Sequence, residues 1–362
     1  MSKISATIVA DSMNPQGDRL TTMLVTFPRF ILAELNTHRM LSKNSASSRA
    51  IPFKKMVESV QNNPFIPLAW QKEHKGMQGL EYFTDKNEIL SLNDIWLMGR
   101  DAAVSRAEAL TNLKATKQLA NRLLEPFMYH TVLISGTEWE NFFSLRCPQY
   151  TERDENGNKG NVYRSKKDYK RAWGYVVDHH TDLDWLKKNE GMAEIHMMAL
   201  AEAMWDTMNE SKPKQLQPGE WHIPFEDKII LPPTIPINVG LTLDEGVAIR
   251  KVKISTAMAA RTSYTVVGDE KEFTTEQQIG LHDRMANQVP FHASPFEHAA
   301  RCMTNIEYLT NIKGVVIGEK LDLNNSIAYL KTDIDDSNTG WCRNYRGFIQ
   351  YREILEHDKN QI

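Results

Sequence analysis

Three short runs carry residue types at spacings that chemistry can use. The first is Thr37-His38-Arg39-Met40-Leu41-Ser42-Lys43-Asn44-Ser45-Ala46-Ser47-Ser48-Arg49. No acid occurs from Leu35 to Val57, whereas Arg39, Lys43, Arg49, Lys54 and Lys55 fall in that window. Small hydroxyl residues alternate with these cations. Such a segment can turn N–H groups, hydroxyls and guanidinium forks onto a phosphate. Arg suits that task better than Lys because it grips two oxygens at once. A solvated basic loop is the plainer alternative, and composition alone favours it. The second run, Ser135 to Arg146, ends in an arginine able to polarise a carbonyl and stabilise developing negative charge. The commoner role for such an Arg is to complement a helix C-terminus. Asn141 lies five residues earlier, off the same helical line, yet both can face one cleft if the chain turns after Arg146. The third run is His292-Ala293-Ser294-Pro295-Phe296-Glu297-His298. Ser294, Pro295 and Glu297 read as a capping box with Pro at the first helical position. That reading leaves the two histidines unexplained. A helix start also offers free N–H groups to an anionic cofactor group. Zinc through His292 and His298 lacks a third ligand at standard spacing.

Cys147 follows Arg146 and would make a thiolate nucleophile if that arginine lowered its pKa. No histidine stands in a recognisable motif with it, so a structural cysteine is the favoured reading. His179 and His180, adjacent in sequence, read as loop histidines.

The elements that must position these runs can be sketched. Ile4 to Ala10 and Leu20 to Phe27 read as strands joined by the turn Asn14-Pro15-Gln16-Gly17. Asn36 to Arg49 reads as a polar stretch, and residues 51 to 92 as loop with short helix. Asn93 to about Met128 reads as helix, rich in Ala, Leu, Arg and Lys. Thr131 to Ile134 reads as a strand, then Thr137 and Glu140 as a capping box opening a helix that ends near Arg146. Residues 150 to 191 look like an insertion. Ala193 to Asn209 is amphipathic, with Ile195, Met198, Trp205 and Met208 on one face. Pro213 to Pro236 holds six prolines and is the best boundary. Thr242 with Glu245, and Thr275 with Gln278, cap two further helices, to about Thr262 and Asn287. Ile312 to Ile317 reads as a strand, Tyr345 to Leu355 as strand or helix. Helices interleaved with short strands give an α/β (α+β) class. The expected division is 1–226 and 238–362, the second part completing the fold of the first.

Bulk properties narrow the function class. The 362 residues allow one large domain or two ordinary ones. With 41% hydrophobic and 25% charged residues, ordinary globular folding is expected. A net charge of −3 gives no general drive toward nucleic acid or membrane, so an anion site must be local. The three scattered cysteines, Cys147, Cys302 and Cys342, argue against a disulfide framework and for a reducing, cytoplasmic setting. No signal-peptide pattern and no apolar stretch of about 18 residues is present.

Together the runs resemble the flavin-dependent thymidylate synthases. His38-Arg39 with Asn44, Ser47 and Arg49 matches the family's Arg-His-Arg motif in its offsets. Pro28 to Glu34 resembles the apolar approach to that motif. Ser135 to Arg146 resembles the segment ending in the substrate-activating arginine, and Ala193-Glu194-Ile195 the helix after it. Ala260-Arg261-Thr262-Ser263-Tyr264 and His292 to His298 resemble the Ala-Arg-Val-Ser-Tyr and His-Pro-Phe-Glu-His segments. In the family those two precede the Arg-His-Arg motif; here they follow it, as in a circularly permuted, phage-type variant. Permutation is tolerable because domain termini are often close together. The resemblance covers about half the chain. It implies C5 methylation of dUMP, with FAD as cofactor and methylenetetrahydrofolate and NADPH as co-substrates. It also implies a homotetramer with sites shared between chains, and neither a stable nucleic-acid partner, a membrane nor a metal. By resemblance Arg146 activates the pyrimidine. Glu34, Arg39, Ser47, Ser48 and Arg49 hold the nucleotide. His38, Arg39, Asn44, Asn141, Ser263, His292, Ser294 and Glu297 lie along the flavin. Three departures matter: Thr37 replaces the first Arg, Glu34 a usual Gln, and Ser45 a usual Glu. They keep open dCMP as substrate, a hydroxymethyl product, and a nucleotide-binding module without turnover. The insertion falls where the family has a flavin-contacting His, and no residue is assigned to that role.

Overall fold

The computed structural model describes residues 4–75, 81–174, 179–231, 242–262, 273–309 and 339–360. The first two strands, β1 (Ser5–Met13) and β2 (Arg19–Pro28), are rich in β-branched and apolar residues and pair as an antiparallel hairpin. Gly17 takes φ +91° in the connecting turn, a left-handed value that a side chain disfavours. A short helix, α1 (Leu32–Leu35), leads into β3 (Ser42–Ser45). The stretch read as polar loop therefore contains an edge strand. Helix α2 (Phe53–Asn62) follows, then α3 (Lys86–Asn112), capped by the Asp85 side chain. The expected single helix to Met128 is broken. Lys114 turns to φ +65°, α4 spans only Lys117–Ala120, and Asn121–Phe127 is a 3-10 turn.

Strand β4 (Tyr129–Gly136) pairs antiparallel with both β2 and β3. With β7 (Lys214–Gln215) parallel to β1, the main sheet runs β3-β4-β2-β1-β7. Period-two alternation sends successive residues to opposite faces. Met23, Val25, Phe27, Val132 and Ile134 meet α5 (Glu140–Arg146) and α8 (Ile195–Glu210) on one face. Leu24 and Leu133 meet Met258 and Ala259 of α9 (Leu243–Arg261) on the other. Each fully buried Met, Val or Phe contributes about 1.5–3 kcal/mol.

Between α5 and α8 the insertion folds as a hairpin, β5 (Tyr150–Arg153) and β6 (Lys159–Tyr163), and two helices, α6 (Lys166–Trp173) and α7 (Asp182–Lys188). Tyr150, Tyr163, Tyr169 and Trp185 form its own small core. A second sheet joins β8 (Trp221–His222), β9 (Ala300–Cys302) and β12 (Phe348–Gln350). Strands β10 (Trp341–Cys342) and β11 (Tyr345–Arg346) form a small hairpin before β12. Helix α10 (Thr275–Ala286) packs on α9, α11 (Asn305–Leu309) follows β9, and α12 (Tyr351–Asn360) follows β12. Tyr345 to Leu355 thus contains both strand and helix. The class is α/β (α+β).

Local signals held where no distant partner competed. Thr242 and Glu245 form the expected capping box, and α10 has one shifted by a residue, Thr274 with Gln277. The other two boxes are absent. Thr137 Oγ1 accepts the Arg346 N–H at 3.1 Å, and Glu140 pairs with Arg164. Ser294 and Glu297 are likewise drawn to tertiary partners, in a 3-10 turn without a side-chain cap. Ile312 to Ile317 lies outside the described residues.

Candidate functional site

Arg146 is the last residue of α5, and extended backbone at Cys147 before Pro148 ends the helix. The side chain reaches the turn after α1. Its Nε donates to His38 Nε2 at 2.9 Å, and its Nη1 pairs with the Glu34 carboxylate. Those partners lie 108 and 112 residues away. Backbone bonds fix the turn: Thr37 N–H donates to Glu34 O and His38 N–H to Leu35 O. Thr37 Oγ1 adds a bond to Glu34 O at 2.7 Å. Lys43 Nζ donates to His38 O at 2.5 Å and Leu41 O at 3.1 Å.

The His38 ring packs edge-on against Phe142, centroids 4.9 Å apart. Burial, with the Arg146 and Lys43 charges beside it, pulls His38 down to about 4. The imidazole is neutral at pH 7 and accepts at Nε2, which places its proton on Nδ1. Burial also lowers Lys43 to about 8, against the opposing charge of Glu297. Side-chain exposures of 21% for Arg146 and 27% for Glu34 leave this pair bordering solvent.

Asn44, buried on β3, joins the first run to the third. Its Nδ2 donates to Ala259 O at 2.6 Å, and its Oδ1 accepts from Ser294 Oγ at 3.0 Å across 250 residues. Glu297 accepts from Arg352 Nη1 at 2.5 Å, and its carbonyl accepts from Tyr345 OH at 2.7 Å. Lys43 touches the His38 turn and feels Glu297, so the two groups adjoin.

The remaining expected residues divide. Ser48 is buried and its hydroxyl donates to Glu125 at 2.5 Å, so it is committed to the scaffold and not open to a phosphate. Ser47 is half-buried, and its carbonyl accepts from Ala50 and Ile51. Arg39, Arg49, Asn141 and His292 are exposed, with no side-chain hydrogen bond or ion pair among the described residues. Ser263 lies outside the described residues. Cys147 is 3% exposed, and burial pushes its thiol pKa up, the reverse of what a nucleophile needs.

Sequence reasoning missed a buried polar chain between the main sheet and the second sheet. His222 bonds Ser12 Oγ at 2.9 Å through Nδ1 and Thr22 Oγ1 at 2.8 Å through Nε2. Thr22 bonds Ser135 Oγ at 2.7 Å, and Ser135 bonds His298 Nδ1 at 2.8 Å. Burial holds both histidines near 3. The available signal was Thr22 and Ser135, hydroxyls set inside apolar strands. Among the described residues, larger clefts lie elsewhere. One of about 640 Å³ includes Trp221, Glu226 and Lys251. One of about 660 Å³ in the insertion includes Arg153, Trp173, His179 and Lys188.

No family model and no curated protein matches the chain. Among solved structures it is similar to the UMP/dUMP methylase PolB from Streptomyces cacaoi bound with 5-Br dUMP, at 14% identity and TM-score 0.34. The same protein bound with 5-Br UMP gives 13% and 0.33. In both, the likeness covers 48% of this chain and 90% of the other. A likeness at that level carries no argument about function.

Proposed function

We propose that the chain is a flavin-dependent enzyme that alkylates C5 of a pyrimidine deoxynucleotide, built as a permuted relative of the flavin-dependent thymidylate synthases. Methylation of dUMP is that family's form of the reaction. The carrying observation is the meeting of Glu34, His38 and Arg146, with Asn44 and Ser294 joining the first and third runs beside them.

A flavin nucleotide needs unspent donors for its phosphates and ring. Arg39, Arg49, Asn141 and His292 are exposed and without side-chain partners among the described residues, which fits such a group. Asn44, Ser294 and Glu297 are bonded to protein, and they tie β3 to α9 and to the His292–His298 run, and that run to α12. Reduced FAD, when bound, supplies a hydride, methylenetetrahydrofolate the carbon, and NADPH the electrons that restore the flavin. A bond forms from C5 to the folate methylene, the bond from methylene to folate nitrogen breaks, and C5 loses its proton. Arg146 stabilises the negative charge that builds on the pyrimidine carbonyl. Neutral His38 fixes the guanidinium through Nε. Arg39, Ser47 and Arg49 would hold the nucleotide phosphate, the role the family resemblance gives them. No protein nucleophile is required, in keeping with the sealed Cys147 thiol. The working assembly is a homotetramer with sites shared between chains.

The test is an absorption spectrum of purified protein, before and after adding FAD, then with NADPH. A flavin band that bleaches supports the reading. Protein that never takes up flavin overturns it.

A further inference from the structure

The arrangement around Arg146 bears on which base is read. Resting on the nucleotide reading above, we infer that the acceptor base is cytosine rather than uracil, with Glu34 as the residue that sets the choice. A guanidinium has five N–H groups. His38 takes the one on Nε, and Glu34 takes one on Nη1. Among the described residues nothing else bonds to it, nor to the second oxygen of Glu34. The pair borders solvent, so these unspent groups can meet a ligand. Read across the pair, they run donor, donor, acceptor: two guanidinium nitrogens, then the carboxylate.

The pairing edge of cytosine runs O2 acceptor, N3 acceptor, N4 amino donor. It complements that row at all three places. Uracil runs O2 acceptor, N3–H donor, O4 acceptor. In the same pose it sets N3–H against a guanidinium donor and O4 against the carboxylate. Two mismatched polar contacts in a half-buried site go unpaired or repel, and such losses make a site selective. A carboxylate is required for the pattern. Glutamine at this position would offer an amide N–H to O4 and so remove one of uracil's two mismatches while breaking the match to the cytosine amino group.

The experiment uses the full-length protein and two readouts. Titration calorimetry compares dCMP with dUMP binding to wild type and to Glu34→Gln. Competition of equal dCMP and dUMP, with FAD, methylenetetrahydrofolate and NADPH present, is read by mass spectrometry of C5-alkylated products. The expected result is a preference of about tenfold or more for dCMP in the wild type, moving toward dUMP in Glu34→Gln. Wild type preferring dUMP in binding overturns the inference, and so does a ratio unchanged in a Glu34→Gln protein that melts normally. Binding that selects dCMP without flavin uptake leaves the inference standing and removes the flavin reading. Flavin uptake with dUMP preferred does the reverse.

Discussion

Two polar clusters, both built on histidine, stand on either side of the line between scaffold and chemistry. In the first, Ser12, His222, Thr22, Ser135 and His298 bond in series with both histidines fully enclosed and neutral. In the second, His38, Glu34 and Arg146 meet with two opposite charges, about a fifth to a quarter open to solvent, and with donors to spare. The first cluster is bonded inside the protein except at His298 Nε2, which is buried without a partner among the described residues, so it can specify how β1, β2, β4 and the second sheet fit together but presents no group to solvent. The second keeps unspent groups beside water. What separates a structural histidine from a functional one here is the remaining capacity of its partners.

Mutations can break that contrast. Arg146→Ala should cost about 10²–10³ in turnover, the usual size for losing one donor to developing charge. Its melting temperature should stay within a few degrees of wild type, because the pair borders solvent and water can replace the lost partner. Circular dichroism melts beside a product assay check both. His222→Ala should behave oppositely. It strips partners from Ser12 and Thr22 in a dry interior and leaves a cavity, for a loss on the order of 2–4 kcal/mol. Denaturant unfolding should show that loss, while turnover per folded molecule stays unchanged.

A third polar group sharpens the contrast through pH. Glu202 of α8 lies under the insertion, its carboxylate taking the Lys166 N–H at 2.6 Å, and burial raises it to about 7. The folded pKa lies above the unfolded one, so the folded state holds this proton longer. Stability from this group is full below the unfolded carboxylate range and is lost as pH rises through about 7. Glu202→Gln should therefore gain on the order of 1–3 kcal/mol over wild type at pH 8 and little at pH 4, read by urea unfolding at each pH. The smallest effect is expected from Cys147→Ala: about 1 kcal/mol of stability from a buried side chain, with turnover within about twofold of wild type. A turnover loss as large as that of Arg146→Ala would favour cysteine chemistry instead.

The parts legible in the sequence were those with local causes. The β1–β2 hairpin followed from two strand-forming runs joined by the Asn14-Pro15-Gln16-Gly17 turn, and α9 from Thr242 and Glu245. Strand β3 was not legible, because Ser42-Lys43-Asn44-Ser45 lacks β-branched or aromatic residues. It is a strand because the β4 edge offers a ladder. The break at Lys114 carries no Gly or Pro to announce it. The capping signals at Thr137 and Ser294 were overridden by Arg346, Asn44 and Arg352, partners from 55 to 250 residues away. Of the site, Arg146, Glu34 and His38 were named from sequence, but their mutual bonding had no local signature. Lys43 was quoted as one more cation, and its grip on the His38 turn was visible only in the fold.

The most direct test of the nucleotide site is calorimetric titration of a pyrimidine deoxynucleoside monophosphate into wild type and Arg146→Ala, with both melts recorded. Saturable binding that weakens about tenfold or more in the variant, as loss of a charge-assisted bond predicts, is the result expected with melting unchanged. Equal binding by both proteins, or none by the wild type, would contradict it.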